Sequence, residues 1–332
     1  MISKTKTVLA PADIHNIFSR LFSNREVIAI DELKDGCFNT SYGVSLDNEE
    51  EYVLKVSPPS GVQLLSYEKN MMHTELLFHS LCEQETTIAI PKIINSDISR
   101  KLIPFDYFIM EKLHGTPLDK IVDISFEQRK SIFIQLADSL ARMHRIKGDY
   151  FGYPVMSNQF SGKSYFESFS YMIDRILHDG RVRKVNLPVS EEDLWRTINQ
   201  YKSAFDHITE PVFVHYDLWD GNIFVQNMDT APEIEGLIDF ERGYYADPAA
   251  DFSQVAGYID LEKNSWFLEE YNKHAEKKFI VDEDAKIRIK LFRFYLFLIM
   301  IVESYYRDVE GSYNEQLKWS EEELVKLYKS LT

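Results

Sequence analysis

Between residues 26 and 56 apolar and polar positions alternate in short runs. EVIAIDEL, DGCFNTSYGVSL and EYVLKVS are separated by turn-forming residues such as DNEE, a pattern that predicts two or three strands. The period changes over 62–82, VQLLSYEKNMMHTELLFHSLC, where no Gly or Pro interrupts and one long helix is expected. Pro91 to Asn95 and FDYFIMEKL at 105–113 read as two more strands. From about residue 115 the helical period dominates. HGTPLD at 114–119 reads as a turn, and 125–147 then places Phe133, Leu136, Leu140 and Met143 along one helix face. Further helices are expected near YFESFSYMIDRIL and over roughly 191–207, a hairpin in EIEGLIDF, and helices from Asp251 onward. The order predicts an α+β chain of two lobes: 1–112, a small antiparallel sheet with one main helix, and 113–332, larger and mostly helical.

Length and composition narrow the function classes. The chain has 332 residues, 45% hydrophobic and 27% charged, enough to build a sizeable core. With 37 Lys+Arg against 53 Asp+Glu the net charge is −16, which disfavours nucleic acid and anionic membranes as partners and favours cationic ones. The two cysteines, Cys37 and Cys82, form neither a disulfide framework nor a metal-ligand spacing. The N-terminus lacks the apolar run of a secretory signal, and Leu291 to Val302 is too short to span a bilayer. A cytoplasmic monomer is expected.

Chemistry concentrates in residues 213–225, FVHYDLWDGNIFV. Apolar runs flank His215, Asp217, Asp220 and Asn222, so a strongly polar turn sits between two strands that look buried. Asp217 and Asn222 stand as D-x-x-x-x-N, and a second apolar run, Gly236-Leu-Ile, ends in Asp239. If the runs pair as antiparallel strands, the three converge. Two carboxylates and an amide oxygen suit Mg²⁺, a hard cation that takes oxygen ligands. The same set serves the kinase-type phosphoryl-transfer site, in which one Asp accepts the proton of the attacking hydroxyl while an Asn and a later Asp hold metal. Asp217 is therefore the expected catalytic base, and Asn222 and Asp239 the expected metal ligands. Asp and Asn are also ordinary turn residues, and His215 reads as a scaffold residue.

Such a site needs a cation on the nucleotide phosphates. Lys55 lies mid-strand in YVLKVS, on the face it shares with Val53, although a lysine can also protect an edge strand. Glu68 and Glu75, seven apart on the expected helix, are its alternative partners, with Glu75 preferred as the deeper one. With these residues in view, the chain resembles the aminoglycoside phosphotransferase and choline kinase group of small-molecule kinases. HYDLWDGNI matches the group's H-x-D-x-x-x-x-N loop, and LIDFERGYYADPAADFS its I-D-[FW]-E segment followed by D-P-x-x-D. DGCFNTSYGV resembles its nucleotide loop and YFIMEKLHGTPL its hinge. The resemblance spans roughly residues 27–260.

The resemblance implies a bilobal, protein-kinase-like fold. It implies Mg²⁺ and ATP or GTP as donor, with Lys55 on the phosphates and main-chain groups near Glu111 to Leu113 on the purine. Asp247 and Asp251 match positions that brace the loop or cap the next helix. Tyr216 departs from the group, which often carries Gly or another small residue there. Trp219 gives the D-L-W form of fructosamine kinases, while I-D-F-E also occurs in choline kinases. The acceptor would be a small-molecule hydroxyl, such as an aminoglycoside, or a housekeeping metabolite such as choline, ethanolamine, an amino sugar or a fructosamine. Asp174, Glu303, Tyr305, Tyr306 and Asp308 are candidates to contact it, against the plainer reading of ordinary helix surface. A non-catalytic binding protein on the same scaffold is the rival of another class, although Lys55, Asp217, Asn222 and Asp239 are all retained. A protein kinase is disfavoured, since no G-x-G-x-x-G occurs and Asp239 to Asp251 leaves no room for a long activation segment. Gly162-Lys163-Ser164 imitates the end of a P-loop, but Ser157 stands where its first Gly is required.

Overall fold

The computed structural model describes residues 3–34, 36 and 38–332; Asp35 and Cys37, within the expected nucleotide turn, lie outside them. The described residues divide into two compact units. The first comprises residues up to Leu64, Pro91–His114 and Tyr306–Asn314. The second comprises Leu65–Ile90, Gly115–Tyr305 and Glu315–Thr332. The passage at His114 and Gly115 lies beside the boundary expected at 112/113, whereas 65–90 groups with the second unit and 306–314 with the first.

In the first unit α1 (Pro11–Leu21) precedes β1 (Val27–Leu33), β2 (Thr40–Leu46) and β3 (Glu51–Val56). After the second unit's α2 (Met71–Glu85) come β4 (Ile93–Asp97) and β5 (Tyr107–Glu111). The five strands form an antiparallel sheet in the order β1-β2-β3-β5-β4. Ile14, Ile17 and Phe18 of α1 share one core with Val44, Leu46, Leu54, Val56 and Ile109. Alternation therefore turns Leu54 and Val56 toward that core and Lys55 to the opposite face. Because β3 is the middle strand, Lys55 has strands on both sides, opposite Ser41 and Phe108, and is 7% exposed. An edge-protecting lysine does not describe it.

α2 begins nine residues later than expected. Asn70 sits in the left-handed region (φ 59°), and Glu68 Oε2 accepts from the Leu65 amide (2.9 Å), so 65–70 is a turn and Glu68 is not on the helix. Phe78 of α2 stacks on Phe213 (3.9 Å between centroids) and His79 meets Phe240 edge-on (5.8 Å), which is why the helix belongs to the second unit.

The rest of the second unit runs β6 (Thr116–Pro117), α3 (Phe126–Met143), α4 (Ser157–Phe160), α5 (Tyr165–Val182), α6 (Glu191–Gln200), β7 (Val212–Val214), β8 (Ile223–Gln226), β9 (Glu233–Leu237), β10 (Tyr244–Ala246), α7 (Ala249–Val255), α8 (Ser265–His274), α9 (Glu283–Arg307) and α10 (Asn314–Leu331). The last two residues of α9 and the first of α10 group with the first unit. Capping boxes start α3 (Ser125 with Gln128) and α5 (Ser164 with Glu167), so the Ser of the P-loop look-alike is a helix cap. β8 pairs antiparallel with β9 and β7 with β10, as two separate small sheets. Among the described residues no helix is long and apolar enough to cross a membrane. Cys82 is buried as a free thiol.

Candidate active site

The loop that joins β7 to β8 and the segment that joins β9 to β10 run between the two small sheets. Register fixes their approach: Ile223 opposes Leu237, and the Ile238 amide donates to the Asn222 carbonyl (3.1 Å). Asp239 follows directly, in left-handed backbone (φ 71°). The pairing expected between the run after Asn222 and the run before Asp239 is the one observed, whereas EIEGLIDF, expected as a hairpin, supplies the single strand β9.

A buried carboxylate anchors the start of the loop. Asp251, wholly inaccessible on α7, accepts the amides of His215 (3.0 Å) and Tyr216 (2.7 Å) and pairs with His144 Nε2 (3.0 Å). His144 Nδ1 in turn meets the Tyr271 hydroxyl (2.8 Å). Each hydrogen bond to a charged group contributes about 1.5–3 kcal/mol, enough to hold Tyr216 at φ 58°. That left-handed conformation explains why a glycine would be at ease here. Tyr216 is kept instead by burial and by its hydroxyl, which donates to the Phe292 carbonyl (2.6 Å). Asp247 also acts within the fold: it accepts from Tyr165 (2.9 Å) and pairs with Arg288 (2.9 Å).

His215 spans the loop. Its Nε2 faces the Ile238 carbonyl (2.9 Å) and its Nδ1 the Asp217 amide (3.3 Å), partners satisfied by the tautomer protonated on Nε2. Asp217 is partly buried, with a side chain 21% exposed. Asn222 Nδ2 donates to the Asp217 carbonyl (2.8 Å) and to its carboxylate Oδ2 (3.3 Å), which leaves the amide oxygen as the end turned elsewhere. Burial pushes the Asp217 carboxyl above the usual range, the Arg242 guanidinium opposes that rise, and Asp239 adds to it. A carboxylate so raised is a better proton acceptor near neutral pH. Asp220 is taken up by Arg129 (2.8 Å). Trp219, 42% exposed, folds over Gly221, where a Cβ would stand 2.2 Å from the indole, so a larger residue there would displace the ring.

Two residues joined this site without being assigned to it from sequence. Glu241, in the quoted I-D-F-E, lies with Asp239 and Glu75 so that one carboxylate oxygen from each falls within 4.8 Å of the others. Its signal was its spacing, two residues after Asp239. Arg242 is buried, with Nη2 on Glu303 (2.9 Å) and Nε 3.9 Å from Asp217 Oδ2. The oxygens of Asn222, Asp239, Glu241 and Glu75 are the hard donors that Mg²⁺ takes, so the residues present fit that ion.

Lys55 belongs to the first unit, and Glu68 and Glu75 to the second. Glu111 ends β5 with its amide already donated to Lys92 (2.9 Å), while among the described residues no hydrogen bond engages the Leu113 amide. Asp174 lies at the surface, paired with Arg175 and, at 3.9 Å, Arg181. Two acceptor contacts are corrected. Glu303 is 3% exposed, its oxygens facing Arg242 and Gln316 (2.9 Å each), and Tyr306 is likewise 3% exposed and groups with the first unit; burial removes both from a soluble acceptor.

A sheet-rich unit, a helical unit, and an Asp/Asn loop facing a second Asp define a protein-kinase-like phosphotransferase. The chain belongs to the phosphotransferase enzyme family, whose model matches residues 29–285. Solved structures carry the likeness across nearly the whole chain. Wild-type aminoglycoside 2'-phosphotransferase-IIIa in its GDP complex is 14% identical, with 98% of this chain and 100% of that one covered and a TM-score of 0.64. A thermostable mutant of aminoglycoside phosphotransferase APH(4)-Ia, in ternary complex with ADP and hygromycin B, is 12% identical, with 96% and 98% covered and a TM-score of 0.63. Macrolide 2'-phosphotransferase type I is 15% identical, with 96% and 98% covered and a TM-score of 0.62. No curated protein matches the sequence.

Proposed function

We propose that this enzyme moves the γ-phosphoryl group of ATP or GTP to a hydroxyl of a small molecule, with Asp217 as general base. The observation that carries the reading is the placement of Asp217 beside Asn222, with Asp239 one residue beyond the amide that grips Asn222. The acceptor oxygen attacks the γ-phosphorus, its proton passes to the Asp217 carboxylate, and the bond to the β–γ bridging oxygen breaks to release the nucleoside diphosphate. Asn222 orients the base through its two hydrogen bonds, and His215 holds the loop against the strand before Asp239. Asn222, Asp239, Glu241 and Glu75 would hold Mg²⁺, which when bound neutralises charge on the transferred group. Lys55 is assigned to the donor phosphates, and main-chain groups of Glu111 to Leu113 to the purine.

An aminoglycoside is the first acceptor to try. The net charge of −16 attracts polycations, and the solved relatives include complexes with hygromycin B and kanamycin. A metabolite such as choline, ethanolamine or an amino sugar is the alternative. The test is mass detection of a phosphorylated product after incubation with Mg·ATP or Mg·GTP and a panel of both classes. A product formed about 10²–10⁴-fold less by Asp217→Asn supports the assignment; equal product from both proteins overturns it.

A further inference from the structure

Arg242 serves two carboxylates unequally. Its Nη2 lies 2.9 Å from Glu303 Oε2, a hydrogen-bonded ion pair, while its Nε stays 3.9 Å from Asp217 Oδ2, inside ion-pair range but beyond a hydrogen bond. Glu303 is fixed from the far side, where Gln316 Nε2 of α10 donates to Oε1 (2.9 Å) and touches the Met300 carbonyl (3.4 Å). Glu303 and Arg242 are 3% and 9% exposed, so this is an ordered chain of contacts rather than two surface side chains meeting. An arginine offers a planar fork that closes readily on a carboxylate through two parallel hydrogen bonds. If Arg242 closed on Asp217 in that way, it would occupy the oxygens that must receive the acceptor's proton. The shorter bond to Glu303 holds it off.

We propose that Glu303 is a positioning residue, which acts through Arg242 to keep a cation beside the catalytic Asp217 without a hydrogen bond to it, so that the carboxylate, held at Oδ2 by Asn222 alone, stays able to take the acceptor's proton. The inference rests on Asp217 being the base. It replaces the acceptor contact that the sequence suggested for Glu303. It also gives α10 a functional task, since Gln316 completes the chain Gln316–Glu303–Arg242–Asp217.

The test is steady-state kinetics of Glu303→Gln with Mg·nucleotide and whichever acceptor the wild type phosphorylates, or water where only nucleotide hydrolysis is seen. A misplacement of about 1 Å at a reacting group costs about a hundredfold, so kcat should fall by about that factor with both KM values little changed. Glu303→Asp, which keeps the charge, should recover part of the loss. Gln316→Ala should show the same split in smaller measure, and serves where Glu303→Gln does not fold. A raised acceptor KM with kcat intact would make Glu303 an acceptor contact and overturn the proposal, as would unchanged kinetics. A wild type inactive toward every acceptor and water would defeat the functional reading alone. The contact chain is then tested by melting Arg242→Gln, Glu303→Gln and the double variant. A double variant melting no lower than the worse single variant supports it; additive losses overturn it.

Discussion

Tyr216 combines a backbone that favours glycine with a ring that the core requires. Its φ of 58° is relieved by Tyr216→Gly, yet the same change removes a wholly buried ring and a hydroxyl bonded to Phe292. Loss of a buried aromatic costs about 3–5 kcal/mol, more than the strain released, so urea denaturation should find Tyr216→Gly clearly less stable. A variant as stable as the wild type would contradict this. Asp217 is expected to move the other way. Burial raises its carboxyl, so ionisation is harder in the folded state than in the unfolded one. That penalty is absent below the unfolded pKa and complete above the folded one. Asp217→Asn should therefore melt no lower than the wild type at neutral pH, with any gain fading in acid, while turnover falls by about 10²–10⁴-fold. For the carboxylates assigned to Mg²⁺, Asp239→Asn and Glu241→Gln should each raise the Mg²⁺ concentration needed for half-maximal rate. An unchanged Mg²⁺ titration for either would remove that residue from the set.

The elements show what sequence pattern can and cannot reveal. Short alternating runs exposed the strands of the first unit, and the apolar runs that follow HYDLWDGN and precede Asp239 exposed the pairing that brings Asn222 and Asp239 together. The start of α2 was hidden because Asn70 is compatible with both helix and left-handed turn, and the choice is made by Glu68 folding back to Leu65. Amphipathic spacing says that α2 has a buried face, not that Phe213 and Phe240 cover it. Glu303 looks like helix surface when judged by charge alone; its signal was the apolar run Leu291 to Val302 directly before it, which continues into the core. Asp251 was legible as a brace, and its cost can be measured. Removal of one partner from a buried ionic network costs about 3–5 kcal/mol, so Asp251→Ala should lower the urea midpoint sharply and take turnover with it. Loss of turnover with no loss of stability would mean that the loop is held by something else.

At the scale of the molecule, two compact units and a strongly acidic balance frame the chemistry without choosing the acceptor. Family membership defines a phosphotransferase; identities of 12–15% to the solved relatives convey the fold and leave the acceptor to experiment. Activation of a small-molecule hydroxyl by Asp217 can be tested directly. Purified protein and its Asp217→Asn variant are incubated with Mg·ATP or Mg·GTP and a panel of aminoglycosides, macrolides, choline-like amines and amino sugars, and products are read by mass. The wild type should phosphorylate one acceptor class, and Asp217→Asn should form about 10²–10⁴-fold less of the same product. A phosphorylated product formed as readily by the variant would contradict it.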